Sequence, residues 1–138
     1  TLPTGDLVNI CFSGRYTKEK VKRMLTGEGG LVAYCGTNSG YELDQLAAQG
    51  DAHSKFMLES LAYQVAKEIG AMSTVLKGAV DAILITGGLA NSKFVVNLII
   101  ERVYKIGPVH VYPGEDELKS LAMNGLMVVR GETIPREY

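Results

Sequence analysis

Apolar residues along 51–77 recur at steps of three and four: Leu58, Leu61, Val65, Ile69, Met72 and Leu76. That period predicts an amphipathic helix of about 25 residues, closed at Gly78. Ala62, Ala66, Gly70 and Ala71 are small enough to admit a close neighbour, from this chain or from a partner subunit. Such packing is the expected reason for a mid-helix glycine, which costs about 1 kcal/mol against alanine. The pattern then changes. Ala82 to Thr86 are consecutive apolar or β-favouring residues and read as a buried strand, which Gly87 and Gly88 end in a tight turn. Asn91 or Ser92 is the expected N-cap of a helix over 93–106, with Phe94, Val95, Leu98, Ile99, Arg102 and Val103 at helical spacing. Beyond Gly107-Pro108, Val109–Tyr112 reads as a second strand. Pro113-Gly114 turns the chain into Glu115, Asp116 and Glu117 and a last helix, with Leu118, Leu121, Ala122, Leu126 and Val129 inward. Two strands joined by a helix make a βαβ unit, hence a parallel pair and a right-handed crossover. The polar tail from Arg130 to Tyr138 is expected to fray.

Upstream the elements are shorter. Thr4-Gly5-Asp6 opens a helix running to about Phe12, apolar on Leu7, Val8, Ile10 and Cys11 and stopped by Ser13-Gly14. Thr17 is the expected cap of a second helix, Lys18 to Leu25, whose charges (Lys18, Glu19, Lys20, Lys22 and Arg23) form a solvated face. A Gly-rich turn, Thr26–Gly30, leads to a short apolar run, Leu31–Cys35. The turn formers Gly36-Thr37-Asn38-Ser39-Gly40 follow, either as an ordinary loop or as the wall of a ligand cleft. Tyr41–Ala48 reads as a helix closed by Gly50.

Composition narrows the classes. A chain of 138 residues is one domain with room for a core, and 46% apolar with 21% charged residues is ordinary for a globular protein. A net charge of −1 gives no nucleic-acid surface. No apolar run reaches the roughly 18 residues of a membrane span. The two cysteines, Cys11 and Cys35, stand far apart without a CxxC, so neither a disulfide nor a metal framework is expected and a reducing cytoplasm is the simplest setting. The chain opens Thr-Leu-Pro, with neither Met nor a signal peptide, as expected for the middle of a longer protein.

Candidate chemistry gathers at the two βα turns, 87–92 and 113–117, at the carboxyl ends of the expected parallel strands, where open α/β sheets bind ligands. The first joins a strand, a Gly-Gly turn and a helix N-terminus, an arrangement suited to a nucleotide or another anion, although it is neither GxGxxG nor GxxxxGK[ST]. The second is acidic and suited to Mg²⁺. Acids there also stabilise the helix dipole by ~0.3–1 kcal/mol without binding anything. His53, opening the long helix, is expected to be exposed. His110 alternates with Val109 and Val111 as a packed or surface residue, and no nucleophilic triad is indicated.

Five ordered segments carry a resemblance: LPTGDL (2–7), GGLVAYCGTN (29–38), AYQVAKEIGAM (62–72), DAILITGGLANS (81–92) and VYPGEDEL (111–118). Together they resemble the carboxy-terminal half of the butyrate kinases. These belong with the acetate kinases in the acetate-and-sugar-kinase, Hsp70 and actin superfamily, whose two ribonuclease-H-like lobes close over a nucleotide. The resemblance implies an α/β fold, the nucleotide-binding lobe of the actin-like ATPase type, with βαβ units and a long packed helix. It also implies an amino-terminal lobe lying outside this chain. The implied reaction is reversible phosphoryl transfer between ATP and butanoate, with Mg²⁺, giving ADP and butanoyl phosphate.

Carried over residue by residue, Gly87, Gly88, Leu89, Ala90, Asn91 and Ser92 resemble the family's adenosine motif, and Gly36, Thr37 and Asn38 the loop on the nucleotide's other side. Asp116 and Glu117 resemble the acids that support Mg²⁺, through water. Thr4, Gly5 and Asp6 resemble a segment near the transfer site. Two positions depart from the family. Acetate kinases follow the second loop with an Asp-x-Arg, where this chain has Ser39-Gly40-Tyr41, and they place a catalytic Arg where it has Pro3. The rival readings are a kinase for another short or branched carboxylate, and a non-catalytic nucleotide-binding or dimerisation lobe. The expected partners are butanoate or a similar carboxylate and further copies of the chain as a homodimer or higher homo-oligomer, with no nucleic acid and no membrane. The chain alone is expected not to turn over substrate.

Overall fold

The computed structural model describes residues 3–114 and 117–134, the side chains of 117–120 excepted. The chain divides into two compact units, Thr1–Leu61 and Ala62–Tyr138.

In the first unit, α1 (Thr4–Phe12) begins after Pro3, and the Ser13 hydroxyl ends it by donating to the Ile10 carbonyl at 2.8 Å. Thr17 caps α2 (Lys18–Thr26) as expected, its side chain accepting the Lys20 amide at 3.2 Å. The charged side of α2 is more than a solvated face. Glu28, just beyond the helix, pairs with Lys20 and, at 2.7 Å, with Arg23. These bonds, Lys20 first, hold the Glu28 carboxyl below its ordinary range. The apolar run 31–35 forms a short helix, α3 (Leu31–Cys35), closed by Gly36 at φ +72°. The next helix, α4 (Gly40–Ala48), ends as expected at Gly50. There the Gly50 amide donates to Ala47 at 3.1 Å and the Asp51 amide to Leu46 at 3.0 Å, the bond pair of a Schellman end. Leu43 and Leu58 are fully buried in this unit.

The long helix α5 (Ala52–Ser73) contains the boundary between the units. It stops short of the expected Lys77. The hydroxyls of Ser73 and Thr74 donate back to the Gly70 and Ala71 carbonyls at 2.7 and 2.6 Å, and Lys77 takes a left-handed φ of +54°. Its buried line is Ser54, Leu58, Ala62 and Ala66, while Val65 and Met72 are exposed. The buried positions step by four, through Leu58 to Ala62 and Ala66. Of the large residues whose period announced the helix, Leu58 is fully buried and Leu61 and Ile69 are half-buried, and two small residues complete the inward line. Gly70 is a correction: a Cβ built there meets nothing within 4 Å, so no close neighbour explains it.

The second unit continues with β1 (Ile83–Gly87), a 3-10 turn (Gly88–Asn91), α6 (Lys93–Val103), β2 (Val109–Pro113) and α7 (Glu117–Val129). The strands pair in parallel, Ile83 with Val109 through Gly87 with Pro113, as the βαβ reading requires. Strand β1 starts one residue later than expected and is covered on one face only. Ile83 is buried, whereas Leu84 is 65% exposed and Thr86 is exposed. An unbroken apolar run does not report how many faces of a strand are covered, and among the described residues one face is open. Helix α6 ends at Val103 and not at Ile106, because the Ile106 amide donates to Val103 in a tightened turn at 2.8 Å before Gly107-Pro108. It buries Val95, Val96, Ile99 and Val103, leaving Phe94 and Leu98 half-buried. Near its end, Arg102 stacks 5.9 Å from the Tyr63 ring of α5.

In α7, Leu121, Ala122, Leu126 and Val129, expected inward, are all exposed, and the Leu118 side chain lies outside the described residues. The helix is held by its own ladder and by a Schellman end at Gly131, whose amide donates to Val128 at 3.0 Å. Of the expected fraying tail, residues 135–138 lie outside the described part. Both cysteines are free thiols. No helix among the described residues is long and apolar enough to cross a membrane.

Candidate functional site

The turn at the carboxyl end of β1 is built from backbone. Gly87 sits at φ +88°, ψ −178°, a conformation essentially restricted to glycine, and a Cβ there would meet nothing within 4 Å. The open side of this residue therefore admits the close approach of another group to the main chain. Gly88–Asn91 winds one 3-10 turn, stapled by the Asn91 Nδ2 donating to the Gly88 carbonyl at 3.0 Å. Ala90 is buried beneath it, while Gly88, Leu89 and Asn91 are exposed.

Of the two expected caps, Ser92 is the one used. Buried itself, it accepts the Val95 amide on Oγ at 3.2 Å, and its carbonyl takes the Val96 amide at 3.0 Å. The amides of Lys93 and Phe94, in the first turn of α6, lie outside the helix's own ladder. They stand at the positive end of the dipole of an 11-residue helix. Lys93, exposed at the first position of α6, is a basic residue at the helix end whose dipole disfavours a cation. An anion at this turn would therefore meet the free amides of the positive helix end with a cation in the same helical turn. Lys93 was not singled out in the sequence; the signal lay in a basic residue directly after an N-cap.

The two βα turns do converge. Gly87 pairs with Pro113, and the Gly114 amide donates to the Gly87 carbonyl at 3.2 Å. Asp116 lies outside the described residues, and Glu117 enters only through its backbone, as the first residue of α7. Among the described residues, no three His, Cys, Asp or Glu side chains are grouped to hold a metal ion. His110, on β2, is exposed.

The remaining candidates belong to the first unit. Thr4, Gly5 and Asp6 form the exposed first turn of α1. The 36–38 loop lies between α3 and α4. Its Thr37 hydroxyl donates to Glu42 Oε2 at 2.9 Å and accepts the Ser39 amide at 3.1 Å. Ser39 in turn caps α4 by accepting the Glu42 amide on Oγ at 3.2 Å. Ser39 and Glu42 thus occupy the two ends of a capping box, with Thr37 inserted between the Glu42 carboxylate and the Ser39 amide. The S-x-x-E spacing was legible in the chain; Thr37's insertion was not. Asn38 lines an open concavity of about 390 Å³ with Met24–Gly27 and Gly29–Val32. Nearby, His53 is exposed as expected, its Nε2 bonded to the Tyr34 carbonyl at 2.9 Å.

Comparison with known proteins bears on both units. The Acetokinase family matches residues 10–127 of this chain. A propionate kinase from Francisella tularensis subsp. tularensis SCHU S4 superimposes with a TM-score of 0.68 at 24% identity, over 86% of this chain and 36% of that one. The α/β fold of the actin-like ATPase type is therefore that of this chain. The chain spans well under half the length of that similar protein.

Proposed function

This chain belongs to the acetokinase family, and on that premise we propose that it is the nucleotide-binding lobe of a short-chain carboxylate kinase, with butanoate as acceptor. In the reaction a carboxylate oxygen attacks the γ-phosphorus of ATP. The new O–P bond forms as the bond to the bridging oxygen breaks, and ADP leaves with that electron pair; the reverse reaction makes ATP. Such a transfer asks the protein chiefly for positioning and for charge stabilisation. The observation that carries the reading is the turn 87–92: glycine backbone open to close approach at Gly87, and the amides of Lys93 and Phe94 at the N-terminus of α6, whose first residue is basic. These groups bind and orient phosphate oxygens.

The carboxylates of Asp116 and Glu117 are donors of the kind a hard cation takes, and in the sequence they come after β2 and Gly114-Glu115. They are the proposed Mg²⁺ ligands, through water, and when bound the ion neutralises phosphate charge. Gly36, Thr37 and Asn38 are proposed as a second nucleotide-contacting segment, and Thr4–Asp6 as lying near the transfer site. A cytoplasmic setting belongs to the same reading.

A second acceptor is favoured by a specific observation: the similar solved structure is described as a propionate kinase. Relative rates with acetate, propionate, butanoate and isobutanoate decide between them. The expected homo-oligomer loses its first motive, since Ala62 and Ala66 are already buried within the chain and Gly70 has open surroundings; light scattering measures it directly. We expect the 138-residue chain by itself to convert no butanoate.

The testing experiment is a calorimetric titration of the chain with Mg-ADP, wild type against Asn91→Ala and Lys93→Ala. Saturable binding weakened several-fold by each substitution supports the reading. Binding unchanged by both, or no binding to a folded chain, overturns the assignment to this turn.

A further inference from the structure

We infer that Asn91 is a positioning residue of the 87–92 turn: its carboxamide holds the Gly-Gly backbone in shape for a ligand and is not itself the ligand's contact. This rests on the nucleotide reading above and deepens it.

Two demands on the turn oppose one another. Gly87, at φ +88°, is open to close approach because it carries no Cβ, and Gly88 follows it directly. Glycine, however, loses more freedom on ordering than any other residue. A pair of them must be held from outside, having no side chains to hold themselves. The Asn91 Nδ2 does this by donating to the Gly88 carbonyl at 3.0 Å, three residues back. The Ser92 amide, next in the chain, donates to Leu89 at 3.0 Å, and the Ser92 Oγ then caps α6 by accepting the Val95 amide at 3.2 Å. A succession of bonds thus runs from the glycines into the first turn of α6, and Asn91 makes the first of these three. Without it, the backbone that delivers Ser92 to its cap, and the Lys93 and Phe94 amides to a ligand, starts from an unfastened Gly88.

The same closure recurs where no ligand is in prospect. The hydroxyls of Ser13, Ser73 and Thr74 donate to the carbonyls three residues before them, Ile10, Gly70 and Ala71, at 2.8, 2.7 and 2.6 Å. Each closes the end of a helix, and none belongs to the candidate site. In this chain a side-chain donor turned three residues back is a means of fastening a turn. Asn91 differs only in using a carboxamide for it. That difference separates the two roles, because a hydroxyl can replace the fastening but cannot replace a carboxamide that meets a ligand.

The test titrates the full chain with Mg-ADP by calorimetry, comparing wild type, Asn91→Ala and Asn91→Ser, and follows amide hydrogen exchange at Ser92 and Val95 in the ligand-free proteins. Asn91→Ala is expected to weaken Mg-ADP about fivefold, the scale of one hydrogen bond, and to speed exchange at Ser92 by a similar factor before any ligand is added. Asn91→Ser, whose hydroxyl is placed as those of Ser13 and Ser73 are, should restore both. Asn91→Ser binding as weakly as Asn91→Ala overturns the positioning role, since the carboxamide then meets the ligand directly. Unchanged exchange in ligand-free Asn91→Ala overturns it as well. Asn91→Ala binding Mg-ADP like wild type, while Lys93→Ala still weakens it, overturns the inference and leaves the nucleotide reading standing. Failure of Mg-ADP to bind the folded wild-type chain overturns the two together.

Discussion

Replacing Gly70 by alanine should stabilise this protein. The residue lies three before the end of α5, in helical conformation, and the added methyl meets no atom within 4 Å. Alanine is favoured over glycine in a helix interior by about 0.5–1 kcal/mol, chiefly because the unfolded chain loses less freedom on folding. No steric cost offsets that gain. Taking about 2.1 cal/mol/K per residue for the unfolding entropy, 138 residues give about 0.3 kcal/mol/K, so the expected rise in melting temperature is about 2–3 °C. Differential scanning calorimetry of both proteins at matched concentration reads it, with urea unfolding checking that the denaturant slope is unchanged. A melting temperature that stays level or falls refutes the reasoning. It would mean that something approaches Gly70 within a methyl's reach in solution. A second copy of the chain is then the first suspect, and light scattering on the same samples identifies it.

Three other outcomes follow from the same geometry. Gly29→Ala should destabilise the chain by roughly 1–3 kcal/mol, since its Cβ would stand 2.2 Å from the Met24 carbonyl oxygen, a main-chain atom with little room to yield; urea unfolding measures it. Lys77→Gly should raise the melting temperature by a degree or more, because φ +54° strains any side chain with a Cβ. Glu28 and Asp51 both titrate below their ordinary values, Glu28 through Lys20 and then Arg23, Asp51 through the side chain and then the amide of Ser54. A depressed carboxyl adds stability above its unfolded value and loses it as pH falls through the folded one. Melting temperature should therefore hold from pH 7 to 5 and decline below about 4.5, with a shallower decline in Glu28→Gln.

The elements were legible where short-range chemistry decides them. Thr17 and Ser92 as caps, Gly50 as a stop and the parallel pairing across a helix all follow from residues within a few positions of one another. Faces were not. Large apolar residues announced the period of α5, yet beyond Leu58 the fully buried positions are Ala62 and Ala66, while Val65 and Met72 are exposed. Among the described residues, Leu121, Ala122, Leu126 and Val129 of α7 are exposed and β1 has an open face. Which side of an element is covered depends on what lies against it, and no local period encodes that. The candidate site divides the same way. The Gly-Gly turn was visible as a turn, and Lys93 was legible as a basic residue directly after an N-cap, but the Ser39–Glu42 relay through Thr37 depends on how side chains meet after folding.

The pairing of β1 with β2 also fixes an order of events. Residues 26 apart in the chain, 83 with 109 and 87 with 113, must meet before the sheet exists. The bond from the Gly114 amide to Gly87 waits on that meeting. Helical turns close within a microsecond or less, whereas such a non-local pairing bears a loop-closure cost first. The local bonds of the 87–92 turn need no such meeting, but its junction with β2 at Gly87 is completed only with the sheet. A ligand that recognises its finished geometry has nothing to hold in the folding transition state, so it should slow unfolding while leaving the folding rate almost unchanged. For this chain, occupancy would be recorded as lifetime.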